Sequence, residues 1–141
     1  MSGIAGVYHL DKKPIDRPLL GRMLECIPQW GSDAVRIWSD NYVGLGHRQL
    51  CTTEESLREV QPANNRAGTC WITFDGRVDN REELIKRLRN KFSKLQSATD
   101  VELVLCAYDI WGTECLKSIV GDFAFALWDA NEEQLFCGRD T

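Results

Sequence analysis

An apolar strand begins almost at the first residue of this chain: Met1-Ser2-Gly3-Ile4-Ala5-Gly6-Val7. A strand that starts so early draws the amino terminus into the fold, where most termini fray. One chemical use of such a terminus is a nucleophilic side chain whose own α-amino group serves as the base. The residue behind Met1 is Ser2, and its amine becomes free only when Met1 is removed.

Residues 3–10 read as a strand closed by the turn Asp11-Lys12-Lys13-Pro14. Asp16 is placed to cap a helix that tolerates Pro18 in its first turn. Its apolar stripe is Leu19, Leu20, Met23, Leu24 and Ile27, and Pro28 ends it. Residues 34–38 and 42–47 form a hairpin signal around Ser39-Asp40-Asn41. The polar stretch 51–65 predicts a long loop. Residues 68–74 read as a strand broken at Asp75-Gly76, a dipeptide that favours a tight turn.

Asn80 and Glu83 predict a cap for a helix running to about residue 92, with Glu82/Lys86 and Glu83/Arg87 as supporting pairs. Thr99-Asp100-Val101-Glu102 matches a capping box. The helix after it carries Val101, Val104, Leu105, Tyr108 and Trp111 on one face and stops at Gly112. Residues 123–128 are nearly continuously apolar, as in a strand buried on both faces. Asp129-Ala130-Asn131 turns the chain into a last strand, 134–138. Two helical layers over two mainly antiparallel sheets accommodate this order. The first strand is expected at the centre, pairing close to 123–128.

The length of 141 residues is that of one domain with a normal core. A hydrophobic fraction of 43% with 27% charged residues is globular, and a net charge of −4 gives no footprint for nucleic acid. Lys86, Arg87, Arg89, Lys91 and Lys94 read as one solvated helix face. No apolar run reaches the roughly 20 residues of a membrane span, and the start lacks the pattern of a signal peptide. The six cysteines include no CxxC pair and read as reduced, mostly buried thiols of a cytoplasmic protein. His9 and His47 have no partner at metal-ligand spacing, so no metal site is expected. The abrupt end at Arg139-Asp140-Thr141 reads as a cut at a domain edge.

Six segments, in order, carry a resemblance. They are Ser-Gly-Ile-Ala-Gly at 2–6, Gly-Leu-Gly-His-Arg at 44–48, Phe-Asp-Gly-Arg-Val-Asp-Asn at 74–80, Thr-Asp-Val-Glu at 99–102, Gly-Asp-Phe-Ala-Phe-Ala-Leu-Trp-Asp at 121–129 and Gly-Arg-Asp at 138–140. Over residues 1–141 the chain resembles the class II glutamine amidotransferase domain of asparagine synthetases. Within that family it is nearest to asparagine synthetase-like, β-lactam synthetase-like and lasso-peptide macrolactam synthetase-like proteins. The resemblance implies an α+β fold, the four-layer αββα sandwich of N-terminal-nucleophile hydrolases. It implies glutamine hydrolysis, with ammonia passed to a C-terminal domain that activates a carboxylate as an acyl-adenylate. ATP and magnesium belong to that domain, and no cofactor to this one. The implied partners are the chain's own synthetase domain and a second copy in a homodimer, with no nucleic acid and no membrane.

Several functional positions depart from the family pattern. The nucleophilic cysteine falls on Ser2, whose hydroxyl depends on a base far more than a thiol of pKa about 8.5 does. The family's Arg-Gly-Pro-Asp stands here as Trp30-Gly31-Ser32-Asp33. The arginine that grips the glutamine carboxylate falls on Gln49, while Arg48 points to the opposite face of its strand. The oxyanion-hole asparagine falls on Asp75, which donates no hydrogen bond when ionised; losing one such donor costs about 2.7–4 kcal/mol. A family glutamate falls on Arg77, whereas Gly76 and Asp100 match. Gln49, Asp75, Gly76, Arg77 and Asp100 thus read as a vestigial pocket, in a domain that keeps its scaffold without its chemistry. Two alternatives stay open: a serine-type amidohydrolase active after Met1 removal, and a module binding an amine or cation through Asp75 and Asp100. Simpler roles also stay open: a turn for Asp75-Gly76, a surface residue for Arg77 and a helix cap for Asp100.

Overall fold

The computed structural model of the chain describes residues 1–93 and 95–140. Lys94 and Thr141 lie outside the described residues. A first, three-stranded sheet has the order β1-β3-β2, from β1 (Gly3–Tyr8), β2 (Ala34–Asp40) and β3 (Val43–Gln49). A second, four-stranded sheet runs β4-β5-β6-β7, from β4 (Ala63–Asn64), β5 (Cys70–Val78), β6 (Gly121–Asp129) and β7 (Gln134–Arg139). Every pairing is antiparallel. Helix α1 (Arg17–Glu25) covers the outer face of the first sheet. Helices α3 (Arg81–Leu88) and α4 (Asp100–Trp111) cover the outer face of the second. The result is the expected four-layer αββα sandwich.

Alternation along the strands builds two cores. Ile72, Phe74 and Val78 of β5 and Phe123, Phe125 and Leu127 of β6 face α3 and α4, packing on Leu84, Leu88, Val101, Val104 and Leu105. Between the sheets, Val43, Leu45 and Trp128 pack with Tyr8, Trp38 and Trp71, the last two stacked at 4.6 Å. Close approach of α1 depends on Gly46, where a Cβ would come within 2.8 Å of the Leu24 side chain. Asp16 accepts from the Leu19 N–H and caps α1, and Thr99 with Glu102 completes the capping box of α4.

The structure corrects several expectations. Strand β1 is an edge strand that pairs with β3, and β6 lies in the other sheet between β5 and β7. The 34–49 hairpin puts β3 between β1 and β2, so the apolar first strand lies at a sheet edge and is only partly buried, by layer stacking. The 51–65 loop contains α2 (Glu54–Arg58) and β4, because Thr53 and Ser56 form a capping box that polarity alone hides. No turn breaks the chain at Asp75-Gly76: β5 pairs with β6 unbroken from Cys70 opposite Asp129 to Val78 opposite Gly121. Long-range pairing outweighs the local turn preference there.

Asn80 makes no cap bond; its amide instead donates to Ser118 O and accepts from the Val120 N–H. Helix α3 ends at Leu88, where the N–H groups of Lys91 and Phe92 both turn back to Leu88 O and fold Phe92 onto the core. Among the cysteines, all free, Cys70 and Cys115 are buried, while Cys26 and Cys137 are exposed. Lys86, Arg87, Arg89 and Lys91 are exposed. No helix among the described residues is long and apolar enough to cross a membrane.

One polar bridge joins the sheets. The His47 ring nitrogen Nδ1 lies 3.1 Å from Thr73 Oγ1, and that hydroxyl donates to Gly46 O. His47 is 1% exposed. Burial, helped by the nearby Arg36 guanidinium, pushes its pKa down to about 4. A folded-state pKa below the unfolded 6.5 means that the contribution is present above pH 6.5 and drains away as pH falls toward 4. At 1.36 kcal/mol per unit this is about 3 kcal/mol. Urea unfolding at pH 7.5 and pH 4 should therefore show a loss in the wild type that exceeds the loss in His47→Gln by that order. Equal losses in the two proteins would exclude His47 as the acid-sensitive group.

Candidate active site

The β1–β3 register sets the position of residue 2. Ile4 pairs with His47, whose side chain points between the sheets. Two residues back along β1 and two residues on along β3, Ser2 and Gln49 fall on that same inner face. On β5, Thr73 faces inward, so Asp75 does too. Ser2 and Asp75 meet at this end of the sandwich, where the Ser2 N–H donates to Asp75 Oδ1 at 2.7 Å. The Ser2 hydroxyl oxygen accepts from the Leu50 N–H at 3.0 Å. With Met1 attached, the Ser2 nitrogen is an amide and supplies no base.

A cleft of about 540 Å³ opens here. Ser2, Asp75, Gly76, Arg77 and Asp100 all line it. Gln49 does not. It is 6% exposed, and its amide donates to Ser56 O at 2.7 Å and Glu59 O at 2.9 Å while accepting from Arg36. Arg48 points to the other face, as alternation requires, and its guanidinium donates to Trp30 O and Gly31 O. The Trp30–Asp33 segment thus closes over the end of β3; Asp33 also accepts from the Cys51 N–H.

Asp100 accepts from the Val78 N–H at 2.8 Å and is ion-paired with Arg81. Arg81, at the first turn of α3, is held in turn by Ala98 O. Arg77 leans outward to Asp79 at 2.8 Å and is largely exposed. Gly76 adopts φ 128°, and a Cβ there would lie 2.1 Å from Asp122 O, so only glycine lets β5 and β6 approach.

Four residues with no sequence signal complete the site. Arg81 is one, and its α3 position revealed nothing about a partner on α4. Asp122 sits opposite Arg77 in the β5–β6 register. Gln61 is 2% exposed and bonds both main-chain groups of Phe74, extending the β4 pairing beside Asp75. Its amide also donates to Glu59. Burial raises the Glu59 carboxyl, reinforced by Asp100 and Glu102 and opposed by the Gln61 bond. Burial raises Asp75 as well, and the Ser2 N–H pulls it back.

A family model for the glutamine amidotransferase domain matches residues 1–141. The chain belongs to that family. Asparagine synthetase (glutamine-hydrolyzing) 3 of Bacillus subtilis (strain 168) is 30% identical over 142 residues, covering 99% of this chain and 23% of that protein. Amidase chry2 of Gibberella zeae is 34% identical over 119 residues, covering 83% of this chain and 18% of that protein. The chain thus spans about a fifth of the length of these curated relatives. The solved glutamine phosphoribosylpyrophosphate amidotransferase of B. subtilis, complexed with ADP and GMP, superposes with a TM-score of 0.71 at 15% identity. That match covers 92% of this chain and 35% of that one. It shows that the fold is shared.

In this amidotransferase domain Gly76 is a packing requirement. Gly76→Ala should cost about 2–4 kcal/mol in chemical denaturation, from the Cβ clash and the positive φ together. Arg77→Ala, one residue on, removes only an exposed ion pair and should leave stability close to that of the wild type. Comparable losses for the two would mean that the β5–β6 approach at Gly76 is not tight.

Proposed function

We propose that residues 1–141 are the amidotransferase domain of an asparagine synthetase-like, amide-forming enzyme, and that this domain serves as a scaffold and not as a glutaminase. The ATP and magnesium of such an enzyme are assigned in this proposal to a synthetase domain outside residues 1–141, which this domain docks and supports. One observation carries the reading. Gln49, the position that the family resemblance gives to the grip on the glutamine carboxylate, and Asp100, which matches the family pattern, are already bonded to the chain itself. Gln49 is spent on two main-chain carbonyls and Arg36, and Asp100 on Arg81 and the Val78 N–H. A substrate would have to break these bonds and recover as much in return. Asp75 adds a carboxylate where a developing oxyanion needs a donor.

Glutamate release from glutamine, measured on the Met1-free protein, should equal the no-enzyme blank. Ser2→Cys alone should stay within about tenfold of that blank, because groups that act as a unit are not restored singly. A quadruple variant that adds Gln49→Arg, Asp75→Asn and Arg77→Glu should exceed it by about 10²-fold or more. Turnover by the unaltered Met1-free chain would instead establish the serine-type amidohydrolase reading.

A second reading, a cleft that binds a cationic amine, is favoured by four carboxylates around one opening: Glu59, Asp75, Asp100 and Asp122. Its signature is calorimetric binding of a diamine that disappears in Asp75→Asn.

A further inference from the structure

The Ser2 N–H donates to the Asp75 carboxylate at 2.7 Å. As an amide it brings no charge to that contact; the Met1 ammonium acts on Asp75 only through space, without a hydrogen bond. Hydrolysis of the Met1–Ser2 bond by an aminopeptidase adds water across the bond, releases free methionine and leaves an α-amino group on Ser2. The new group is held where the amide was, because the Ser2 hydroxyl stays anchored on the Leu50 N–H and β1 stays paired from Gly3 onward.

We propose that Met1 removal converts this contact into an ion pair between the Ser2 ammonium and Asp75, which anchors the mature amino terminus and keeps the amine from acting as a base. The inference is independent of whether Gln49 and Asp100 can receive a substrate. It deepens the scaffold reading by giving Asp75 a structural role that a donor at this position would not have.

The charges around the amine favour this. From β5 it faces Asp75. From β6 comes Asp122, and from the 59–62 segment Glu59. Arg77 on β5 is drawn outward by Asp79. On α3 and α4, Arg81 and Asp100 neutralise each other. On the first sheet, Gln49 is neutral, Arg48 lies on the opposite face, and Arg36 is engaged with the far side of Gln49. The surroundings of the ammonium are therefore acidic. An ordinary α-amine titrates at about 7.7–8.0, and an adjacent opposite charge raises such a value by about 1–3 units.

The test uses the Met1-free chain with 13C-labelled serine, the Ser2 signal being assigned by its loss in Ser2→Ala. The Ser2 Cβ shift is followed against pH in the wild type and in the isosteric Asp75→Asn. The expected wild-type midpoint is about 9 or higher, falling by at least about one unit in Asp75→Asn. Stability supplies a second readout. A raised folded pKa stabilises below the unfolded value and loses that effect as pH rises through the folded one. Met1 removal should then raise the wild-type Tm by about 3 °C at pH 7 and by less at pH 10.5, with no gain at either pH in Asp75→Asn. A wild-type midpoint at or below 8 defeats the proposal, even where Asp75→Asn does not fold. So does a midpoint indifferent to residue 75. Glutaminase activity enters neither readout, so failure here is separable from failure of the scaffold reading.

Discussion

The pairing of Ile4 with His47 sets the phase of the first sheet, and the cleft depends on it. A slip of one residue in an antiparallel pair turns every side chain to the other face. Ser2 would then point toward α1 and meet Ile27 and Trp30, which already crowd Gly3. The actual register turns Ser2, His47 and Gln49 inward. His47 then fixes the first sheet against the second through Thr73, two residues from Asp75. The contact between Ser2 and Asp75 is therefore the downstream result of two registers and one buried polar bridge.

Strand β5 keeps packing positions and cleft positions on separate faces. Its outward positions Ile72, Phe74 and Val78 build the larger core with α3 and α4. Its inward positions Thr73, Asp75 and Arg77 build the inter-sheet face and the cleft wall. Period-two alternation separates the two sets. A carboxylate at 75 or a guanidinium at 77 leaves the helix-side packing untouched, whereas a side chain at 76 would strike the β6 backbone. The cleft also satisfies itself. No buried side-chain nitrogen or oxygen among the described residues lacks a partner. Hydrogen bonds tie Gln49, Gln61 and Asp100 to neighbouring main chain, which rigidifies this end of the sandwich.

Local signals were readable wherever the stabilising groups lie close in sequence. The α4 capping box, the Asp16 cap, the hairpin of β2 and β3 and the apolar β6 are all interactions within a few residues. Reading failed where partners are distant. Asp75-Gly76 carries a strong turn preference, but β6, more than forty positions on, supplies a full ladder that keeps it extended. Asn80 has the chemistry of a helix cap and spends it on Ser118 and Val120. Family motifs pointed to Asp75, Gly76, Arg77 and Asp100, which line the cleft, and to Gln49, which does not, yet Glu59, Gln61 and Arg81 belong to no such motif.

By itself the sequence determined the types of the longer elements, the αββα layering and the family, because apolar periodicity, caps and ordered motifs are written along the chain. Which strand lies at an edge, which side chains enter the cleft and which carboxylate receives which cation were decided by the tertiary structure. Those outcomes depend on cross-strand register and on charges that meet only after the two sheets stack. The withdrawal of Gln49 into the main chain and the pairing of Arg81 with Asp100 belong to that second group. Each is a competition among distant partners that folding alone resolves.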